Sequence, residues 1–118
     1  MAVDTKMNWN NARKHCQGLK GDLASFKNEE EQNKAITAIK NLSVRLVSDW
    51  WIGLTYDEKE GWVWSDGRSV SWTSSGYDMN NNLTGYCGYL YAHLGKWYAL
   101  ECFKDSFQGF ICRIPSEW

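Results

Sequence analysis

The stretch Trp50-Trp51-Ile52-Gly53-Leu54-Thr55-Tyr56 is rich in aromatic and branched side chains and reads as a buried strand. Downstream, residues 57–61 are a polar turn, Trp62-Val63-Trp64 is a second short strand, and Ser65-Asp66-Gly67 closes it with a turn of the Asp-Gly kind. From 74 to 84 the chain becomes polar and loses periodicity, with Asn80-Asn81-Asn82 at its centre. A loop of that length in a small domain is usually functional or mobile. Three further strands are predicted at 86–91, 97–102 and 108–114. His93-Leu94-Gly95-Lys96 forms the hairpin turn between the first two.

Upstream the period changes. Trp9, Ala12, Cys16 and Leu19 recur at three/four spacing and predict an amphipathic helix, with Asn8 as N-cap and Gly21 as the stop. A second helix starts at Asn28, with Glu31 completing an approximate capping box. Glu29, Glu30 and Glu31 suit its positive end and Lys40 its last turn, while Ala35, Ile36 and Ile39 supply the buried face. Helices first and strands later predict an α+β fold, with the two helices packed on antiparallel sheet.

The 118 residues fit one domain, taken as 1–118. With 43% hydrophobic residues, 8 Trp and 6 Tyr, the chain has enough apolar surface to pack an interior. The net charge is −1 and no Lys/Arg stripe occurs, so nucleic acid is not expected as a partner. No apolar run approaches the ~20 residues of a membrane helix. The opening Met1-Ala2-Val3-Asp4 does not read as a signal peptide. We therefore expect a piece of a longer ectodomain or precursor, membrane-anchored in its parent. Cys16, Cys87, Cys102 and Cys112 are an even set in a small Trp-rich domain, which suits an oxidising compartment and an extracellular location. Zinc-ligand spacing is absent, and the four cysteines allow three connectivities. Asn41-Leu42-Ser43 and Asn82-Leu83-Thr84 are glycosylation sequons, making Asn41 and Asn82 the candidate sites.

Several segments, in order, resemble the C-type lectin-like domain. They are Trp9…Ala12…Cys16, Gly21-Asp22-Leu23-Ala24-Ser25, Trp51-Ile52-Gly53-Leu54, Gly61-Trp62-Val63-Trp64-Ser65-Asp66-Gly67, Cys87, Trp97, Cys102 and Gly109-Phe110-Ile111-Cys112. The Leu-Thr-Tyr and Trp-Ser-Asp-Gly wording is most similar to the mannose-receptor group of endocytic receptors, which includes the M-type phospholipase A2 receptor. The resemblance implies the pairs Cys16–Cys112 and Cys87–Cys102. In the chain-entropy picture these contribute roughly 4–5 and roughly 3 kcal/mol. An extra N-terminal pair of long-form members is missing, and the usual first strand is shortened to Met1–Lys6.

In sugar-binding members of that family, calcium sits at the long loop. Its oxygens come from a Glu-Pro-Asn or Gln-Pro-Asp triplet, an acid two residues before the third core cysteine, and a Trp-Asn-Asp triplet. This chain departs at all three places. Its one proline is Pro115, Tyr77-Asp78-Met79-Asn80 stands near the first triplet, Gly85 stands at the acid, and Trp97-Tyr98-Ala99 replaces the last. Asp78 and the asparagines carry too little charge for an ion that takes ~6–8 oxygens, so no cofactor is expected, calcium included. Asp57, Glu58 and Glu60 read as an exposed acidic turn, and Asp66 as a turn cap.

Catalysis is not expected. Disulfides would consume every thiol, the only imidazoles are His15 and His93, and Glu58, Glu60 and Glu101 lie on a turn and a strand with no sign of a cleft. Trp9, Trp50, Trp51, Trp62 and Trp64 are assigned to the core. Tyr77, Tyr91, Tyr98 and Trp118 are less tied to the framework and suit an interface. The expected function is a calcium-independent, protein-binding receptor module. Its ligand-binding residues would be Tyr77, Asp78, Asn80, Asn81, Lys96 and Tyr98. Two alternatives stand beside it: a lectin reading glycan without metal, through aromatic stacking and asparagine hydrogen bonds, and a structural spacer in a multidomain receptor.

Overall fold

The computed structural model describes residues 1–42, 48–74 and 84–115. The element order is β1 (Ala2–Val3), α1 (Trp9–Gly18), β2 (Asp22–Leu23), α2 (Glu29–Lys40), β3 (Asp49–Asp57), β4 (Gly61–Trp64), β5 (Tyr86–Tyr91), β6 (Lys96–Glu101) and β7 (Gly109–Arg113). The sheet runs β1-β7-β3-β5-β6, with β2 beside β7 and β4 beside β3. The fold is α+β, as expected. The sheet is mixed rather than purely antiparallel, because β3 and β7 pair in parallel, Trp50 opposite Gly109 and Trp51 opposite Phe110.

Strand β3 organises the interior because both its faces are covered. Trp50, Ile52 and Leu54 join Phe26, Ala35, Ile39, Trp64, Leu90, Trp97 and Ile111 in the core on the α2 side. Trp51 points the other way, into a core with Trp9, Ala12, Cys16, Phe107 and Phe110 on the α1 side. An apolar run without alternation is what a strand covered on both faces requires. The buried indoles find acceptors: Trp9 Nε1 donates to the Ile52 carbonyl (2.8 Å), Trp51 Nε1 to that of Met7 (3.0 Å) and Trp97 Nε1 to Gln32 Oε1 (2.6 Å). Gly53 sits where β3 slips its register with β5. A Cβ there would meet the Leu23 and Ala24 carbonyl oxygens at 2.9 and 3.0 Å, so the close approach excludes a side chain.

The helices form where predicted, with local corrections. Asn8 Oδ1 accepts from Asn11 N (2.9 Å) and caps α1. The buried stripe is Trp9, Ala12 and Cys16; Leu19 lies beyond the last turn and is 38% exposed. The residue with left-handed backbone after α1 is Lys20 (φ 71°), not Gly21. Gly21 is required for a different reason: a Cβ there would stand 2.2 Å from the Arg113 carbonyl oxygen. On α2, Asn28 Oδ1 accepts from Glu31 N (2.9 Å). The Glu31 carboxylate takes the Lys27 amide (3.1 Å) instead of closing a reciprocal box, because Arg113 draws it inward through two bonds of 3.0 and 3.2 Å. Ile36 and Trp62 are half-buried and pack against the α2-side core, with Trp62 also edge-on to Tyr56.

Both disulfides have the pairing implied by the resemblance. Cys16–Cys112 spans 96 positions and Cys87–Cys102 spans 15.

Candidate functional site

Antiparallel pairing of β3, β5 and β6 sets side chains in rows across the sheet. Asp49, Tyr91 and Lys96 form one row; Trp51, Tyr89 and Tyr98 form the next. Residues two apart on a strand share a face, so Lys96 and Tyr98 lie on the same side. Tyr98 is half-buried and tilts against Tyr89 with ring centres 5.8 Å apart. Tyr89 in turn meets Phe107 at 4.3 Å, and Phe107 meets Trp51 at 4.5 Å. The result is an aromatic strip reaching from the α1-side core to the outermost strand, with Asp49 and Lys96 at its rim.

Charge is disfavoured at Asp49 and Tyr89. Burial raises the Asp49 carboxyl above the ordinary aspartate range. Burial also raises the Tyr89 phenol, helped by the negative charges that Asp49 and Tyr98 can carry. The Tyr89 phenol is therefore a neutral hydroxyl donor at physiological pH, suited to the mixed apolar and hydrogen-bonding contacts of interfaces.

Of the predicted ligand residues, the structure brings Lys96 and Tyr98 together. Tyr77, Asp78, Asn80 and Asn81 lie outside the described residues, as do Asn82 and Trp118. Asn41 is exposed as the C-cap of α2; the Ser43 of its sequon lies outside the described residues. At the positions where the family places calcium ligands, Gly85 has no side chain and its carbonyl accepts from Cys102 N (3.1 Å). The Tyr98 ring is stacked on Tyr89, and Ala99 packs against the α2-side core. These described positions present neither carboxylate nor side-chain amide, so they do not fit the family's calcium donor set. Among the described residues no group of three His, Cys, Asp or Glu side chains gathers to hold a metal. Asp57 Oδ2 is turned inward on its own turn, accepting from Lys59 N (3.0 Å) and Glu60 N (2.8 Å). The two histidines sit on separate elements, His15 edge-on to Phe110 and His93 beside Tyr91.

Some partners escaped the sequence reading. Tyr89, the hub of the strip, is hidden inside the alternation of β5. Asp66 does cap its turn, accepting from Arg68 N (3.0 Å), and it also accepts from Ser25 Oγ (2.6 Å). Asp22 accepts from Arg13 Nε (3.1 Å) and Ser65 Oγ (2.9 Å), fastening α1 to the β4 turn. The Gly-Asp-Leu and Ser-Asp-Gly triplets signal these carboxylates; their partners are set only by tertiary structure.

The chain matches the model of the lectin C-type domain over residues 5–114. It belongs to that family. The human secretory phospholipase A2 receptor is 34% identical over 116 residues, covering 98% of this chain and 8% of the receptor. The chain thus spans less than a tenth of that relative's length. The receptor agrees with the mannose-receptor resemblance. The alpha-N-acetylgalactosamine-specific lectin of Patiria pectinifera is 28% identical over 122 residues, 95% of this chain and 71% of the lectin. Among solved structures, a calcium-independent type II antifreeze protein superposes with a TM-score of 0.68 at 28% identity, over 87% of this chain and 76% of that one.

Proposed function

We propose that this chain is an extracellular, non-enzymatic binding module that engages a protein ligand without calcium. The observation that carries this reading is the replacement of oxygen ligands by Gly85, Tyr98 and Ala99, with the Tyr98 ring committed to Tyr89. The solved calcium-independent antifreeze protein supports it, since that relative's name pairs this fold with calcium independence. The receptor relative supports a protein ligand and a place on a cell-surface ectodomain. Both disulfides suit an oxidising compartment. The absence of a free thiol and the separation of the two imidazoles favour binding over catalysis.

Isothermal titration with calcium tests the metal half of the reading. The expected result is no stoichiometric heat, and a one-to-one response at micromolar calcium overturns it. The protein half is tested by Lys96→Ala and by Tyr98→Phe, which keeps the ring on Tyr89; both should weaken capture of a secretory phospholipase A2 in chelator, and capture unmoved by either overturns it.

A second reading, a metal-independent lectin, is favoured by the Patiria relative. A glycan array run in chelator separates the two: chelator-resistant glycan binding selects the lectin.

A further inference from the structure

A groove of about 540 Å³ lies between α2, the segment around Trp72, and the β5–β6 hairpin tip. Glu29, Gln32, Ile36 and Lys40 line its helical wall and recur at three/four spacing, so they occupy one face of α2. The floor is fixed. Gln32 is 4% exposed; its amide donates to the Gly95 carbonyl (2.9 Å) and accepts from Trp97 Nε1 (2.6 Å). The Ser74 hydroxyl donates to the same Gly95 carbonyl. The apolar lining comes from Ile36, the half-buried Trp72 ring held edge-on to Trp97 at 5.5 Å, and Leu94, which is 53% exposed.

The groove has charge polarity. Glu29 stands in the first turn of α2 and Lys40 in the last. Neither has an ion-pair partner among the described residues. At ~1.5 Å per residue the two are about 16 Å apart along the helix. An extended peptide rises ~3.3 Å per residue, so about five residues cover that length.

We propose that this groove seats an extended peptide segment of a protein partner. A basic side chain lies at the Glu29 end, an apolar one against Ile36 and Trp72, and an acidic one at the Lys40 end. The proposal rests on the protein-binding reading above and gives the partner a chemistry. Polarity selects the ligand, because complementary charges at both ends attract while a like charge at either end repels.

The test is titration of the isotopically labelled full chain, in chelator at low salt, with blocked pentapeptides followed by NMR. The lead probe carries lysine and glutamate at its ends, leucine at its centre and serine between them. Companions carry glutamate at both ends, lysine at both ends, or glycine in place of leucine. The mixed-charge leucine peptide should shift the Ile36, Trp72 and Leu94 signals and bind about three- to fivefold more tightly than any companion. In Glu29→Lys the preference should pass to the two-glutamate peptide, and in Lys40→Glu to the two-lysine peptide. Equal binding of all four peptides, or preferences unmoved by both substitutions, overturns the proposal. Shifts confined to Lys96 and Tyr98 also overturn it, while leaving the protein-binding reading intact. Groove shifts that follow protein concentration alone make a second copy the occupant and equally overturn it.

Discussion

Arg113 reaches from the last strand to Glu31 on α2, 82 positions away in sequence, and also donates to the Ser25 carbonyl (3.1 Å). Both side chains are largely shielded, at 15% and 11% exposure. Burial pushes the Glu31 carboxyl up, but the Arg113 hydrogen bond, the Lys27 amide and the nearby positive charges outweigh it and leave it below its ordinary value. Arg113→Met keeps the stem and strands the carboxylate. The expected cost is about 3 kcal/mol at pH 7, read from urea unfolding. A depressed carboxyl contributes stability that is present above the unfolded value, ~4.3, and lost as pH falls through the folded value. The gap between parent and variant should therefore narrow from pH 7 to pH 3. Asp49 has the opposite sign: its raised carboxyl penalises the folded state at neutral pH. Asp49→Asn should raise the urea midpoint at pH 7, with the gain fading below about pH 4.

Among the elements, β3 is covered on both faces and leaves no room for a side chain at Gly53. Gly53→Ala drives a methyl against two backbone carbonyls that have no freedom to retreat. A loss of at least about 2 kcal/mol is expected, measurable as a lower urea midpoint with unchanged slope. The main elements were readable from sequence because each carries its own periodicity: the Trp9/Ala12/Cys16 stripe, the Asn28 cap and the apolar run of β3. Strand β2 was missed because two residues, Asp22 and Leu23, form a strand only by pairing with Arg113 and Cys112. The parallel β3–β7 match likewise has no local signal. Part of the site was visible in the same way. Lys96 and Tyr98 were both legible as candidates, but Lys96 read as the end of the hairpin turn and instead opens β6, and Tyr89 becomes their neighbour only through the β5–β6 register. Glu29 and Lys40 were read as helix-dipole partners, because the groove they bound is completed by Trp72 and Leu94 from distant sequence.

At the scale of the molecule, two cores share one strand, and two covalent links fasten the sheet. Replacing Cys87 and Cys102 together by Ala should cost roughly 3 kcal/mol, and the Cys16–Cys112 pair roughly 4–5, both read from urea unfolding. Strand β1 lies against β7, with Ala2 opposite Ile111, so the chain enters and leaves the fold side by side. The Cys16–Cys112 bond sits just inside that junction and encloses nearly everything between. Under tension, a pull applied through the two ends passes across a single sulfur–sulfur bond and bypasses residues 17–111. The load is carried only by residues outside the bond. Loaded in this way, the domain would act as an almost inextensible bead, yielding its length only when a reductant opens that one link.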